Sequence, residues 1–302
     1  ELKVLVEEVI RSYMTAAIPD YEEREARFRY LFQRLGKTVT TIVENVAREM
    51  SESDFVPLRF ELDFSDRGEL PAISISADDA SLTVVGKVDR VDGWVKDDKL
   101  YLRVVDYKSG KKAFDLSDVR HGLNIQMLLY LFALEREGTA LFGKEIIPAG
   151  VLYLPARDVL IKAGRESTPE KIRAAMDKEL RRSGMLLSHP EVLNAMEHGA
   201  LENPRFLPLS IDKNGSITKG VATAEELGKL GKYVDKLLER IARELRSGNI
   251  DADPCGRGET ENACTYCEFA TACHFMEMDE GEQLEIIRPI GQEEFWRYVD
   301  EF

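Results

Sequence analysis

The stretch Val104–Gly110, VVDYKSG, sets an Asp and a Lys two residues apart inside a run otherwise made for a buried strand. Valine and tyrosine favour a pleated, half-buried surface. Side chains alternate along a strand, so Asp106 and Lys108 point one way while Val105 and Tyr107 point the other. A carboxylate and an ammonium side by side at the end of an apolar strand are either a surface ion pair or the working parts of a site.

Upstream, the texture from Phe55 to Lys108 is one of short strands: VPLRFELDFS, PAISISA, SLTVVGKVDRVDGWV and KLYLRVVDYK, separated by the turn signals DRGE, ADDA and VKDDK. The alternation within them predicts an antiparallel meander. If the last two runs are hairpin neighbours joined through Trp94 to Lys99, Asp89 of GKVDRVD comes close to Asp106. Two neighbouring carboxylates repel unless a cation lies between them. Mg²⁺ or Mn²⁺ prefers carboxylate, carbonyl and water ligands, so Asp89, Asp106 and the main-chain carbonyl of Tyr107 form a candidate partial shell. Lys108 beside it is placed to orient or help deprotonate an attacking water and to offset charge at a phosphorus centre.

The flanks read mainly as helices. Leu2, Val6, Ile10 and Met14 define one helical face, and YEEREARFRYLFQRLGKTVTTIVENVAREM continues the pattern past Pro19. Within it, LGKT resembles the end of a phosphate-binding loop, but Leu31 stands where the first Gly belongs and the surroundings are helical. Beyond Lys108, LNIQMLLYLFALEREG predicts a helix ending at Gly138, and AGVLYLP a strand closed by Pro155. The remainder predicts helices alternating with polar loops: STPEKIRAAMDKELRRSG, PEVLNAMEHG and TAEELGKLGKYVDKLLERIARELRSG, the first and last opening on Thr caps and ending in Gly. The short basic runs KSGKK and ELRRSG, the latter around Arg181 and Arg182, read as solvated faces, and His189 and His198 as structural or exposed. Trp94, Tyr107 and Phe114 remain unassigned between core aromatics and platforms on which the bases of a single strand stack. The expected fold is α/β, a single domain over 1–302 with N-terminal helices (1–50), a catalytic core (55–155) and a helical, cysteine-bearing extension (156–302).

At 302 residues and 44% hydrophobic, the chain can bury a large core. No apolar run approaches the roughly 18 residues of a membrane span, and ELKVLVEEVIRSYM lacks the layout of a signal peptide, so a cytoplasmic location without membrane association is expected. A net charge of −14 argues against broad adhesion to nucleic acid, though not against a local basic groove. All four cysteines, Cys255, Cys264, Cys267 and Cys273, fall in one segment with the spacing C-x8-C-x2-C-x5-C. Such clustering reads as a metal or iron–sulfur site before disulfides.

The order GKVDRVD, VVDYKSGKK, HGLNIQMLLYLFAL resembles the PD-(D/E)xK nuclease superfamily, specifically its RecB-like branch, with Gln126 and Tyr130 matching a Q-x-x-x-Y on the helix after the lysine. ACTYCEFATAC is similar to the C-terminal half of the iron–sulfur staple of such nucleases. With PAGVLYLP and the helix leading into SGNIDADP, the pattern looks most like the C-terminal nuclease domain of the B subunit of AddAB-type helicase–nucleases, across nearly the whole chain. The resemblance implies a mixed sheet flanked by helices and a DNA-end-processing exonuclease that acts on single-stranded ends together with a helicase partner. It further implies Asp89 and Asp106 as metal ligands, Lys108 as the catalytic lysine, Gln126 and Tyr130 lining the active site, and Cys264, Cys267 and Cys273 as ligands of a [4Fe–4S] cluster.

The sequence departs from that pattern twice. The family places a His or acidic residue on a helix ahead of the sheet, whereas the earliest His here is His121; the chain begins too late to include it, or Glu7 or Glu8 stands near that place. The family's first cluster cysteine lies far upstream, whereas here Cys255 is the earliest, so it substitutes locally or the fourth ligand is absent. Zinc on Cys₄, or on Cys₃His with His274, and free thiols remain the other readings. A stand-alone nuclease and a non-catalytic DNA-binding or scaffolding fragment are the rival functions.

Overall fold

The computed structural model describes residues 2–18, 20–110, 113–162, 164, 166–258, 260–273, 275 and 284–302. The chain opens on α1 (Leu2–Ala17) and α2 (Ala26–Ser51), then β1 (Val56–Phe64), β2 (Ile73–Ala77), β3 (Ala80–Val84), β4 (Gly86–Lys96) and β5 (Lys99–Lys108). There follow α3 (Leu116–Arg120), α4 (Gln126–Phe142), β6 (Glu145–Pro155), α5 (Pro169–Glu179), β7 (Ser183–Leu187) and α6 (Pro190–Met196). The rest comprises β8 (Ser210–Ile211), β9 (Ile217–Lys219), β10 (Val221–Ala222), α7 (Ala224–Ser247), β11 (Cys255–Gly258), β12 (Glu261–Asn262), α8 (Ala270–Cys273), β13 (Glu285–Ile286) and α9 (Gln292–Glu301).

The main sheet is mixed, in the order β1-β4-β5-β6-β7-β10. β4 and β5 form a hairpin whose turn residues Asp97 and Asp98 both take positive φ, 48° and 61°, the backbone of a two-residue turn that matches strand twist. β5 and β6 run parallel, which a tight turn cannot connect; α4 makes the crossover and packs on both strands. The apolar positions of sheet and helices merge into one large core that includes Leu102, Val104, Leu128, Leu131, Leu152, Leu186 and Leu230.

Four expectations need correction. The run of strands is no simple meander: β1 pairs with β4, and β2 and β3 form a separate two-stranded hairpin that packs against α7. SLTVVGKVDRVDGWV accordingly divides at Val85 into β3 and β4. Helix α4 passes through Gly138, which lies against Ile146, and ends at Gly143 with φ 69°, a left-handed cap. Tertiary packing there outweighs the poor helix propensity of one glycine, about 1 kcal/mol.

ELRRSG is not a solvated face. α5 stops at Glu179, Arg182 is 3% exposed, and the next residues form β7, a strand the helical reading missed. By contrast, LGKT lies inside α2 as expected, and Trp94, Tyr107 and Phe114 pack against the core. His121 pairs with Glu285 at 3.0 Å and His198 with Asp54 at 3.0 Å, while Glu7 and Glu8 are exposed on α1. His274 lies outside the described residues.

Candidate active site

The hairpin register aligns Arg90 with Val105 and Asp92 with Arg103. Continued one residue further, that register would set Asp89 beside Asp106 on the neighbouring strand. Asp89 Oδ2 accepts a hydrogen bond from the Tyr107 N–H at 2.8 Å, and Lys108 Nζ pairs with Asp106 Oδ2 at 2.5 Å. Asp89, Asp106, Tyr107 and Lys108 thus converge at the end of β5, all of them half-buried. Parallel pairing sets Tyr153 of β6 beside Asp106, and its ring centroid lies 5.1 Å from Lys108 Nζ. Burial, reinforced by Asp106 and Asp118, pushes the Tyr153 phenol up to about 12, so it stays a neutral wall to the site.

Gln126 Nε2 donates to Tyr130 Oη at 3.2 Å at the start of α4. Gln126 is exposed, whereas Tyr130 is buried, stacked on Phe64 with centroids 5.4 Å apart and its hydroxyl against Gly86, three residues before Asp89. The helix motif therefore abuts the strand that carries Asp89.

The donor set is two carboxylates and a peptide carbonyl, hard oxygens of the kind Mg²⁺ or Mn²⁺ takes while keeping several waters. It fits such an ion. Among the described residues no three His, Cys, Asp or Glu side chains are arranged as a closed metal site.

The cysteines are a different case. Cys255 starts β11, Cys264 and Cys267 share one turn through a 3.2 Å hydrogen bond from Cys267 N to Cys264 O, and Cys273 ends α8. All four are free thiols, and burial followed by Glu285 pushes the Cys255 thiol up. Their thiols do not gather, among the described residues, into a cluster-binding group. The segment is nonetheless docked on the catalytic layer: Arg257 of β11 binds Asp115 at 2.8 Å and Asp118 at 2.6 Å, and Asp118 accepts from Asn124, two residues before Gln126.

Sequence reasoning missed what lies behind β4 and β5. Arg90 donates to Tyr107 Oη at 3.0 Å and grips Asp92 through Nη2 at 3.0 Å and Nε at 2.9 Å. Asp92 also accepts Arg103 Nε at 2.9 Å; Arg103 reaches Glu49 of α2 at 3.1 Å, and Glu49 accepts Arg182 Nη2 at 2.5 Å. Arg182 also donates to Asn45, and none of the charged members exceeds 3% exposure. Part of this was legible: the turn VKDDK sets a register in which Asp92 faces Arg103.

Half-buried carboxylates on two neighbouring strands, a lysine two residues on, and a following helix that returns the chain to a parallel strand are the layout of a nuclease core. A family model for the PD-(D/E)XK nuclease superfamily matches residues 3–274, and the chain belongs to that superfamily. Its relatives include proteins named as the B subunit of an ATP-dependent helicase/deoxyribonuclease. The one from Acetivibrio thermocellus is 34% identical over 273 residues, covering 89% of this chain and 24% of the relative. The one from Clostridium kluyveri is 32% identical over 278 residues (91% and 24%), and that from Caldanaerobacter subterraneus 33% over 300 residues (97% and 26%). The chain therefore spans about a quarter of the length of the curated relatives it matches.

Proposed function

We propose that this chain is a metal-dependent DNA exonuclease domain that hydrolyses phosphodiester bonds at single-stranded DNA ends, as one part of a helicase–nuclease that processes double-strand breaks for recombinational repair. The observation that carries the reading is the convergence of Asp89, Asp106 and Lys108, with the Tyr107 N–H bound to Asp89. Asp89, Asp106 and the Tyr107 carbonyl would hold Mg²⁺ or Mn²⁺, which supplies charge neutralisation at the phosphate and an acidified water. Lys108 Nζ, fixed by Asp106 and by the face of Tyr153, is placed to donate to the attacking water and to the phosphate oxygens. Gln126 would contact the DNA strand, with Tyr130 holding the Gln126 amide in place.

The names of the relatives support a DNA substrate and a helicase partner, and the net charge of −14 agrees with DNA being delivered by the rest of an assembly. Among the described residues no helix is long and apolar enough to cross a membrane, which is compatible with action in the cytoplasm. Four neighbouring cysteines are chemically suited to iron–sulfur or zinc, but since they do not gather into a ligand group no step is assigned to a cluster.

The test is degradation of end-labelled linear single-stranded DNA with Mg²⁺ or Mn²⁺ by wild type, Asp106→Ala and Lys108→Ala. Metal-dependent shortening should fall by about 100-fold or more in both variants. A folded wild-type chain that binds the DNA without shortening it would instead support the non-catalytic reading.

A further inference from the structure

Resting on the metal-site reading above, the geometry points to Arg90 as a positioning residue: through the phenol of Tyr107 it fixes the Asp106–Lys108 peptide and so sets how tightly the two-carboxylate centre takes a divalent cation.

Tyr107 serves both sides of the sheet. Its N–H holds Asp89 at 2.8 Å and its carbonyl belongs to the candidate shell, while its side chain turns to the opposite face. There the hydroxyl is bound by Arg90 Nη1 at 3.0 Å, and the guanidinium carbon lies 5.7 Å from the ring centroid. Arg90 cannot swing away, because Asp92 holds it at two nitrogens and Arg103 holds Asp92. Glu49 then ties Arg103 to α2 and to Arg182. A chain of ion pairs and charge-assisted hydrogen bonds thus runs from the helix α2 layer to Tyr107, the residue whose N–H holds Asp89 and whose carbonyl belongs to the candidate shell.

Holding a sheet together does not call for such a chain. Replacing a whole buried ion network by apolar residues of similar volume is often neutral or stabilising, even though removing a single partner is costly. What charged, forked hydrogen bonds supply is direction. Hydrogen-bond partners one step behind metal ligands typically change metal affinity by about 10- to 100-fold, the range in which Arg90 and Tyr107 should act.

The experiment is calorimetric titration of Mn²⁺ into the folded chain, with a thermal melt of each variant. Wild type should bind Mn²⁺ and Asp106→Ala should not. Tyr107→Phe, which keeps the ring and both peptide groups, should bind about tenfold more weakly while its melting temperature changes little. Arg90→Lys keeps the charge but cannot span Asp92 and Tyr107 together, and should weaken binding at least as much. If Tyr107→Phe binds Mn²⁺ as wild type does, Arg90 is structural and the inference is overturned. If wild type shows no Asp106-dependent binding at all, the metal-site reading itself fails and takes the inference with it.

Discussion

Gly86 is the residue on which the α4 motif leans. A Cβ added there would fall 2.0 Å from Tyr130 Oη and 3.1 Å from its Cζ. Tyr130 has little room to retreat, being 5% exposed and stacked on Phe64. Gly86→Ala should therefore destabilise the fold by about 1–3 kcal/mol in urea unfolding. Because Gln126 is anchored on Tyr130, the same change should displace Gln126 and lower nuclease activity beyond what the loss of stability explains. Of the candidate site, the pairs Asp106–Lys108 and Gln126–Tyr130 can be read from local spacing, two residues on a strand and four on a helix, whereas Asp89 needs the β4–β5 hairpin as well. Tyr153 and Glu49 were not legible, since strand order and layer packing bring them to the site from 45 residues or more away along the chain.

At the scale of elements, local chemistry was legible where the chain carries its own stop and start signals. Thr223 caps α7 in a reciprocal box, its hydroxyl accepting from Glu226 N at 3.1 Å while Glu226 accepts from Thr223 N at 2.7 Å, and Gly248 closes the helix at φ 75°. Thr223→Ala should cost about 1 kcal/mol, measurable as a lowered denaturation midpoint with an unchanged slope. Pairing was less legible. Nothing in the alternation of β1 to β4 says which strand skips its neighbour, so the β2–β3 hairpin was read into the sheet when it stands beside α7. Arg182 was misread for a related reason: a basic pair after a helix looks the same in sequence whether it meets water or Glu49, 133 residues away.

At the scale of the molecule, the buried charges couple stability to pH. Burial alone would lift Glu49, but the guanidiniums of Arg182 and then Arg103 hold it below the ordinary carboxylate value. The folded chain therefore binds this proton less tightly than the unfolded chain does. The stabilisation is fully present above about pH 4.3, the unfolded value, and is lost as pH falls through the depressed folded value. Glu49→Gln should flatten the acid limb of a series of melts from about pH 6 to about pH 3, while lowering stability at neutral pH by about 3–5 kcal/mol because Arg103 and Arg182 lose their shared counter-charge.

The same network has a temporal side. Arg182, β7 and β10 enter the fold from beyond residue 180, yet β7 and β10 complete one edge of the main sheet and Arg182 neutralises an acid in the second helix. A nascent chain that has emerged from the ribosome only as far as Pro155 already carries every strand residue of the candidate site, but β6 lacks its outer neighbour and Glu49 lacks Arg182. Vectorial synthesis thus delivers the strand residues of the candidate site before Arg182 and the outer strands β7 and β10. The main sheet is complete only after about a further 70 residues have been translated, which separates the appearance of the candidate site from the completion of the sheet around it.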